Sequence, residues 1–294
     1  MFAHASVLLE EALGWLDPKP GSVLVDGTLG CCGHALSLLK RIGPEGHLIG
    51  FDIDPEAVRE AKRILKDFGE HVMIFQENFK NITSRLDALH VKANGVLLDL
   101  GVSSPQFDQA QRGFSFSKDG PLDMRMDPQE PLTAREIVNR YPERELADIF
   151  WKYGEERYSR RIAKRIVETR GRVKINTTSE LESIVWQAVP VAARHGRIHP
   201  ATKVFQALRI EVNQEIESLD GFLSSVLDRL ETSGRVVIIS FHSLEDRLVK
   251  RAFREYARQN KGVTLTKKPV VPQNREIEEN PRSRSAKLRA FQKI

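Results

Sequence analysis

The first hundred residues alternate between short apolar runs and stretches with helical periodicity. Four runs have the length and composition of buried strands, at residues 22–26, 47–52, 72–75 and 96–99. A helix is expected over 34–41, and Asp54-Pro55 supplies an N-cap residue and an N1 proline for the next helix. Strands separated by helices indicate βαβ units and a parallel sheet.

A fifth run of the same buried type, at 235–240, comes only after a long segment with helical periodicity. That segment predicts helices over 155–170 and 178–189, and a third that opens at His199-Pro200 and continues past Leu208. Residues 263–266 and 287–291 are predicted to form a terminal antiparallel pair. The pattern therefore predicts an α/β domain in two parts, 1–106 and 210–294, interrupted by a helical insertion at 107–209.

The composition is that of a globular chain. The 294 residues are 40% hydrophobic and 29% charged, which allows a real core and excludes global disorder. The two cysteines, Cys31 and Cys32, are adjacent, which excludes a disulfide framework and a four-cysteine zinc site. Because neither a secretory leader nor a membrane-length apolar run is found, we expect a soluble cytoplasmic protein.

The net charge of +5 is unevenly distributed. It is −4 over residues 1–106, +5 over 107–209 and +4 over 210–294. A polyanionic partner contacting the middle and C-terminal parts would explain this division, and ordinary surface scatter is the alternative. The last basic side chains follow Glu279 without an acid among them: Arg282, Arg284, Lys287, Arg289 and Lys293. They form either a phosphate-contacting loop or a solvated tail.

A loop with glycines follows the first strand, Asp26-Gly-Thr-Leu-Gly-Cys-Cys-Gly33. Glycines between a strand and a helix let a ligand approach the backbone where doubly wound sheets bind nucleotides. The G-x-G of a dinucleotide fold is missing, which argues against a nicotinamide cofactor. An acid at the strand end suits a ligand with a cationic amino group and no pyrophosphate, such as S-adenosylmethionine. A plain turn is the alternative.

Two further positions fit a nucleoside at this edge. Asp52 ends the second strand, where a carboxylate can accept two hydrogen bonds from ribose hydroxyls. Alternatively, Asp52 only helps to cap the helix that follows. Phe79 comes after the third strand and could cover an adenine, although a core phenylalanine is an equally good interpretation.

Asp99 ends the fourth strand and precedes Ser104-Pro105-Gln106-Phe107. Enzymes that methylate exocyclic amines often carry a [DNS]-P-P-[aromatic] tetrapeptide here, which this sequence matches except at Gln106. The polar first residue and a backbone carbonyl would accept the amine hydrogens, while the aromatic ring stacks on the base. The sequence thus offers Ser104 and Phe107 as base-positioning residues, with a plain loop as the alternative.

A histidine pair elsewhere has the spacing of metal ligands, His195-x-x-x-His199. Gly196 stands where a zinc protease needs glutamate, and Gly196 and Pro200 oppose one continuous helix. The adjacent cysteines have no partner ligands nearby in the sequence. No metal site is therefore predicted.

The longest motifs together resemble one family, the bacterial ribosomal RNA small subunit methyltransferase H (MraW) family. They run in family order from residue 4 to 289: HASVLLEE at 4, DGTLG at 26, VLLDLGVSSPQ at 96, RGFSF at 112, GPLDMRMD at 120, YGEER at 153, HPAT at 199, FQALRI at 205, SFHSLEDR at 240 and NPRSRSAKLR at 280. Several are eight or more residues long, so chance similarity is not a serious rival.

The resemblance implies a class I, Rossmann-like methyltransferase sheet with an inserted all-helical domain that helps to hold RNA. It implies transfer of a methyl group from S-adenosylmethionine to N4 of a decoding-centre cytidine in 16S ribosomal RNA, free or in the small subunit. The family's cofactor contacts fall on these residues: Cys32, Gly33, His34, Asp52, Phe79, Asp99 and Gln106. Cys32 replaces the usual glycine, and a backbone contact there survives only if the position needs no positive φ.

Two rival functions remain open at this point. A non-catalytic RNA-binding or assembly protein could keep the fold, but it would need neither Asp52 nor Asp99 nor the SSPQF segment. A nicotinamide oxidoreductase would need the missing G-x-G.

Overall fold

The computed structural model describes residues 6–196 and 198–294. His4 and Ala5 of the first quoted motif lie outside these residues. The chain forms two compact units, one made of residues up to Gly101 together with Ile216–Ile294, the other of Val102–Glu215. The borders drawn from the sequence, 106/107 and 209/210, lie five and six residues from these divisions.

The described helices and strands are as follows. The α-helices are α1 (Leu9–Leu16), α2 (Gly33–Ile42), α3 (Pro55–Ile64), α4 (Ile82–Leu89), α5 (Ser104–Asp108), α6 (Ala134–Arg140), α7 (Glu143–Lys152), α8 (Ser159–Arg170), α9 (Thr178–Ala188), α10 (Val191–Arg194), α11 (Ala201–Asn213), α12 (Glu215–Ser225), α13 (Ser243–Arg258) and α14 (Asn274–Glu279). The strands are β1 (Val23–Asp26), β2 (His47–Asp52), β3 (Val72–Gln76), β4 (Ala93–Asp99), β5 (Leu230–Ser240), β6 (Gly262–Thr264) and β7 (Lys287–Lys293). Short 3₁₀ turns lie at Lys66–His71, Phe79–Asn81, Ala110–Arg112, Val226–Arg229 and Pro281–Ser285.

Among the described residues, the first unit holds one seven-stranded sheet in the order β3-β2-β1-β4-β5-β7-β6. Strands β1 to β5 pair in parallel, with Val25 opposite Ile49 on one side and Val96 on the other. Strand β7 runs antiparallel to both β5 and β6. The predicted α/β fold class and the antiparallel β6–β7 pair are confirmed, whereas the insertion of β7 between β5 and β6 was not predicted.

Both faces of this sheet are buried, as a parallel sheet requires. Successive side chains of a strand point to opposite faces, so Leu97 packs with α2 residues such as Leu38, while Val96 and Leu98 pack on the other face with Phe222. The near-continuous apolar runs in the sequence therefore reflect strands covered on both sides. Helix α3 begins as its sequence predicts, because the Asp54 side chain accepts the Glu56 N–H at 2.9 Å and a proline follows at N1.

The described residues of the second unit form helices joined by loops, the longest between Arg112 and Ala134, and their β-structure is an isolated bridge between Pro121 and Thr177. Helix α7 packs on α8 and α11, and α8 packs on α9. Their facing side chains form a core that includes Leu146, Phe150, Ile162, Ile166, Leu181, Val185 and Leu208. A capping box fixes the start of α9, in which Thr177 Oγ1 accepts the Glu180 N–H and the Glu180 carboxylate accepts the Thr177 N–H.

The helix predicted over 155–170 is wrong in its first turn. Helix α8 begins at Ser159, because Glu155 has a left-handed backbone (φ 48°) that a right-handed helix cannot contain. The amphipathic pattern continues across this turn because Tyr158 is half-buried, although its backbone is not helical. None of the described helices is both long and apolar enough to cross a bilayer.

Candidate active site

Three aspartates end three adjacent strands of the first unit. Asp26 ends β1, Asp52 ends β2 and Asp99 ends β4, and these strands lie side by side in the order β2-β1-β4. Because the strands are parallel, their carboxyl ends meet at one edge, where open α/β sheets bind ligands. This edge brings together the residues that the sequence placed on separate strands.

The loop after β1 is held across this edge by backbone hydrogen bonds. The Gly27 N–H donates to Leu97 O and the Leu29 N–H to Phe51 O, both at 2.9 Å. The Gly30 N–H donates to Asp52 Oδ2 at 2.8 Å. A Cβ atom on Gly33 would lie 2.0 Å from Ser6 Oγ, so this position admits only glycine without displacement. The loop therefore brings its backbone close to the ends of β2 and β4.

Cys32 occupies a position that needs a positive φ. Its φ is 63° at the N-cap of α2, so the position does need a positive φ, and Cys32 adopts this conformation although it is not glycine. The backbone geometry that a cofactor contact would need is therefore kept, at a cost in strain. A non-glycine residue in this conformation costs about 1–2 kcal/mol. The side chain is completely buried in the core between the sheet and α2, and this packing offsets part of the strain. Burial raises the pKa of the Cys32 thiol to about 12, so the thiol is protonated at neutral pH.

Asp52 uses both of its oxygens within the protein. Oδ2 accepts the Gly30 N–H at 2.8 Å and Oδ1 accepts the Asp54 N–H at 2.9 Å. Asp52 can therefore help to start α3 and also accept hydrogen bonds from a ligand, because each of its carboxylate oxygens retains a second lone pair. Burial outweighs these hydrogen bonds and raises the pKa of Asp52 to about 6.

His34 lies between the amino-terminal segment and Asp99. Its Nε2 lies 3.1 Å from the Val7 carbonyl, which can only accept, so Nε2 carries the proton. Burial lowers the pKa of His34 to about 4, and the neutral ring therefore presents its Nδ1 lone pair to Asp99 Oδ2, 3.7 Å away. Burial and the nearby Asp26 charge hold the pKa of Asp99 well above its usual range.

Two carboxylate oxygens at this edge lack hydrogen-bond partners within the described part of the chain. They are Oδ2 of Asp26, a residue only 1% exposed, and Oδ1 of Asp99. Burial also raises the pKa of Asp26 to about 7, while its Oδ1 accepts the Thr28 N–H. Enclosed acceptors of this kind fit a cationic ligand, whose charge compensates for lost hydration. The edge therefore suits the ammonium and sulfonium groups of S-adenosylmethionine.

Thr28 was not identified as a site residue from the sequence. Its N–H donates to Asp26, and its Oγ1 accepts the Asp99 N–H at 2.7 Å, so it ties the ends of β1 and β4 together. The sequence did contain a signal for this role, because a hydroxyl residue two positions after a strand-ending acid commonly forms hydrogen bonds with the backbone of the turn.

Phe79 is half-buried at the start of a 3₁₀ turn just after β3, and its ring meets Phe222 edge-on with centroids 6.1 Å apart. It is therefore neither a fully enclosed core residue nor a free platform. One part of the ring packs on the protein and another part is exposed. The contact of Phe79 with an adenine therefore stays a prediction.

Ser104, Gln106 and Phe107 belong to the second unit, in the short helix α5. The tetrapeptide is therefore not the loop that the sequence suggested. Ser103 and Gln106 form a capping box, with Ser103 Oγ accepting the Gln106 N–H and Gln106 Oε1 accepting the Ser103 N–H at 3.0 Å. Gln106 is buried and Phe107 is 41% exposed. Gln106 thus has a structural role besides the expected cofactor contact.

The C-terminal basic run is neither a loop nor a solvated tail in its second half. Lys287 and Arg289 lie in β7, and both pair with Asp246, Arg289 Nε at 2.6 Å from its Oδ1. Arg289 is only 6% exposed and cannot reach a phosphate. Lys293 Nζ donates to the Leu230 carbonyl at 2.8 Å. Of the five cations, Arg282 and Arg284 alone lie on an exposed 3₁₀ turn.

The two histidines at 195 and 199 surround Trp186 in the second unit. The His199 ring stacks on Trp186, while the His195 ring meets it edge-on. His199 Nε2 lies 3.2 Å from a Glu182 oxygen, and its Nδ1 accepts the Ala201 N–H. Both ring nitrogens of His199 are therefore engaged by protein groups.

A parallel sheet with one reversed strand and an acidic carboxyl edge defines the class I methyltransferase fold. The chain belongs to the MraW methylase family, whose sequence model matches residues 1–294. This confirms the resemblance seen in the sequence, the methyltransferase class and the use of S-adenosylmethionine, and it rules out the nicotinamide oxidoreductase.

Curated relatives match over the full length. A protein of Pelobacter propionicus is 50% identical over 310 residues, covering 100% of this chain and 99% of the relative. One of Syntrophotalea carbinolica is 48% identical with the same coverage. Both are named ribosomal RNA small subunit methyltransferase H. A solved rRNA methylase from Streptococcus thermophilus is 12% identical, with a TM-score of 0.45 and coverage of 100% and 99% of the two chains.

Proposed function

We propose that this protein transfers a methyl group from S-adenosylmethionine to the exocyclic N4 amine of a decoding-centre cytidine in 16S ribosomal RNA. Membership of the MraW methylase family carries the proposal, together with full-length relatives named for the small-subunit RNA. The substrate is 16S RNA, free or in the small ribosomal subunit, and the enzyme acts in the cytoplasm.

The first unit would hold the cofactor along its carboxyl edge. Asp52 accepts the ribose hydroxyls on its remaining lone pairs, and the close backbone at Cys32, Gly33 and His34 lies against the ligand. Asp99 and the additional residue Asp26 offer their unpartnered oxygens to its cationic end. In the same proposal Phe79 contacts the adenine, and Gln106 is a further cofactor contact.

The bound cofactor supplies an electrophilic methyl group on a sulfonium that is already a good leaving group. A cytidine inside folded RNA must leave its stack to reach a buried site. Ser104 and the adjoining backbone would accept the amine hydrogens and draw its lone pair out of conjugation, while Phe107 would stack on the base. The amine attacks while neutral and sheds its proton after transfer, so a strong base is not required.

A modification assay tests this proposal. The protein is incubated with methyl-labelled S-adenosylmethionine and small-subunit RNA from cells that lack it, and the digested nucleosides are analysed by mass spectrometry. Labelled N4-methylcytidine is expected, and Asp52→Ala should reduce its yield. Label on another atom or base would overturn the target, and RNA binding without any label would favour the non-catalytic assembly protein.

A further inference from the structure

Helix α8 carries a ridge of exposed cations in the second unit. Arg160, Arg161, Lys164 and Arg165 are exposed, while Ile162 and the other apolar residues of the helix face the core. Spacings of three and four residues place these cations on one side of the helix. We call these four residues the α8 ridge.

The α8 ridge is poorly neutralised by its own unit. Glu168 lies 4.0 Å from Lys164 and 3.8 Å from Arg165, and Arg165 also donates to Gln187. Arg160 and Arg161 have neither an ion pair nor a hydrogen-bond partner among residues 6–196 and 198–294. Several cations with one shared carboxylate favour a polyanionic partner.

An exposed tryptophan lies just before this ridge in the chain. Trp151, in the last turn of α7, is 63% exposed and has no aromatic or cationic ring contact within the described part of the chain. The turn after α7 leads to Arg157, whose guanidinium lies 4.6 Å from the centroid of the Tyr158 ring, and then directly to α8. Helices α7 and α8 pack on each other, and exposed aromatic and arginine side chains on adjoining helices are a combination that binds single-stranded nucleic acid.

We propose that the α8 ridge and Trp151 form a binding surface for a single-stranded segment of the substrate RNA. The ridge would contact consecutive phosphates, and the indole would stack on one base. This inference rests on the proposed RNA substrate and assigns residues that recognise it outside the methyl-transfer site. An acidic protein could use the cations but would gain little from the exposed indole, so RNA is the better partner.

The first test is the salt dependence of RNA affinity. The triple variant Arg160→Gln, Arg161→Gln and Lys164→Gln is compared with the parent, using a labelled 20-nucleotide single-stranded RNA from the small subunit without cofactor. Three lost phosphate contacts should lower the log–log salt slope by about 2, since each contact contributes about 0.7 in single strands. If both proteins converge at 1 M salt, affinity at 0.1 M falls by about a hundredfold.

A matched control removes three exposed cations from the other unit, Arg59→Gln, Lys62→Gln and Lys66→Gln. Its salt slope should equal that of the parent. Equal losses in both triple variants, or an unchanged slope in the ridge variant, would overturn the proposal. Normal RNA binding combined with lost binding to a ribosomal protein would also overturn it.

The second test uses the indole itself. Unlabelled RNA should quench the tryptophan fluorescence of the parent, and Trp151→Phe should abolish most of the quenching, because Trp15 and Trp186 are packed against the protein. Trp151→Ala should weaken RNA binding at least about fivefold through lost stacking. Quenching that persists in Trp151→Phe would refute the stacking role. These assays omit the cofactor and measure binding alone. Ridge-dependent RNA binding here, combined with no methylated product in the modification assay, would refute the proposed function and leave this binding surface standing.

Discussion

Cofactor binding should release protons near pH 6.5, because the acidic edge is partly protonated in the free protein. Burial raises the pKa of Asp26 to about 7 and that of Asp52 to about 6. The cationic end of the cofactor beside Asp26 and the ribose hydroxyls that donate to Asp52 stabilise the charged carboxylates and lower both pKa values again. The ligand therefore binds the ionised edge and displaces the protons that it holds.

The expected size follows from these two pKa values. Between pH 8 and pH 5 the ionised fraction of Asp26 falls by about a hundredfold, which lowers cofactor affinity by about 2.7 kcal/mol. Asp52 adds a factor of about ten over the same interval. At pH 6.5 Asp26 and Asp52 together hold about one proton, and Asp99, whose pKa also lies well above its usual range, adds to this, so at least about one proton is released for each cofactor bound.

The buried Asp26 carboxyl group also makes the cofactor-free protein less stable as the pH rises. Because the folded pKa of Asp26 lies above its ordinary 3.8, the folded state binds more protons between pH 4 and pH 7. The contribution of Asp26 to the free energy of unfolding is therefore largest below pH 4 and decreases by up to about 4 kcal/mol through pH 7. Asp26→Asn keeps an oxygen for the Thr28 N–H and cannot ionise. This variant should unfold at a higher temperature than the parent at pH 8, and the gap should narrow at pH 5.

Titration calorimetry at pH 6.5, in two buffers with different ionisation enthalpies, measures the released protons. Asp26→Asn should release about three quarters of a proton fewer than the parent, which is the share of Asp26 at this pH. The difference between the two proteins cancels any ionisation of the ligand itself. Equal proton release by parent and variant, or equal cofactor affinity at pH 5 and pH 8, would refute the reasoning.

Three further predictions concern single positions. Asp52→Ala should weaken cofactor binding at least about tenfold in calorimetry, since two hydrogen bonds to a charged group are worth about 1.5 kcal/mol or more each; unchanged affinity would remove it from the site. Gly33→Ala should lower the melting temperature only slightly, because Ser6 Oγ, which the new methyl group would overlap, can rotate away; a large loss of stability would show that the Ser6 side chain is held in place. Ser104→Ala and Phe107→Ala should depress turnover at saturating cofactor while cofactor affinity is retained, and parental rates in both would assign base positioning to other residues.

The sheet could be predicted from sequence because its signals are local and redundant. The inner parallel strands β1, β2 and β4 are buried on both faces and therefore appear as apolar runs. Asp54-Pro55 marks a helix start by capping alone. The strand-ending aspartates could be assigned to one edge because parallel strands end together. The raised pKa values of these aspartates could not be predicted from the sequence, because they depend on how deeply the folded chain buries the carboxyl groups.

The errors arise where a residue's role depends on distant contacts or on one backbone angle. Nothing near Arg289 in the sequence reveals its partner Asp246, so a buried strand residue was interpreted as a phosphate contact. The positive φ values of Glu155 and Cys32 are not encoded by their residue types. By contrast, the S-x-x-Q cap that turns the tetrapeptide into helix α5 was present in the sequence and was overlooked.

The place of β7 between β5 and β6 has a consequence for biosynthesis. When β5 leaves the ribosome its outer edge has no neighbour, because β7 begins only 46 residues after β5 ends. At about 5–20 residues per second that edge, with Val236 and Ile238, stays open for several seconds. The last strand to be synthesised, β7, therefore has to insert between β5 and β6 to complete the sheet. Loss of the last ten residues would remove this interior strand and leave β6 without its pairing partner.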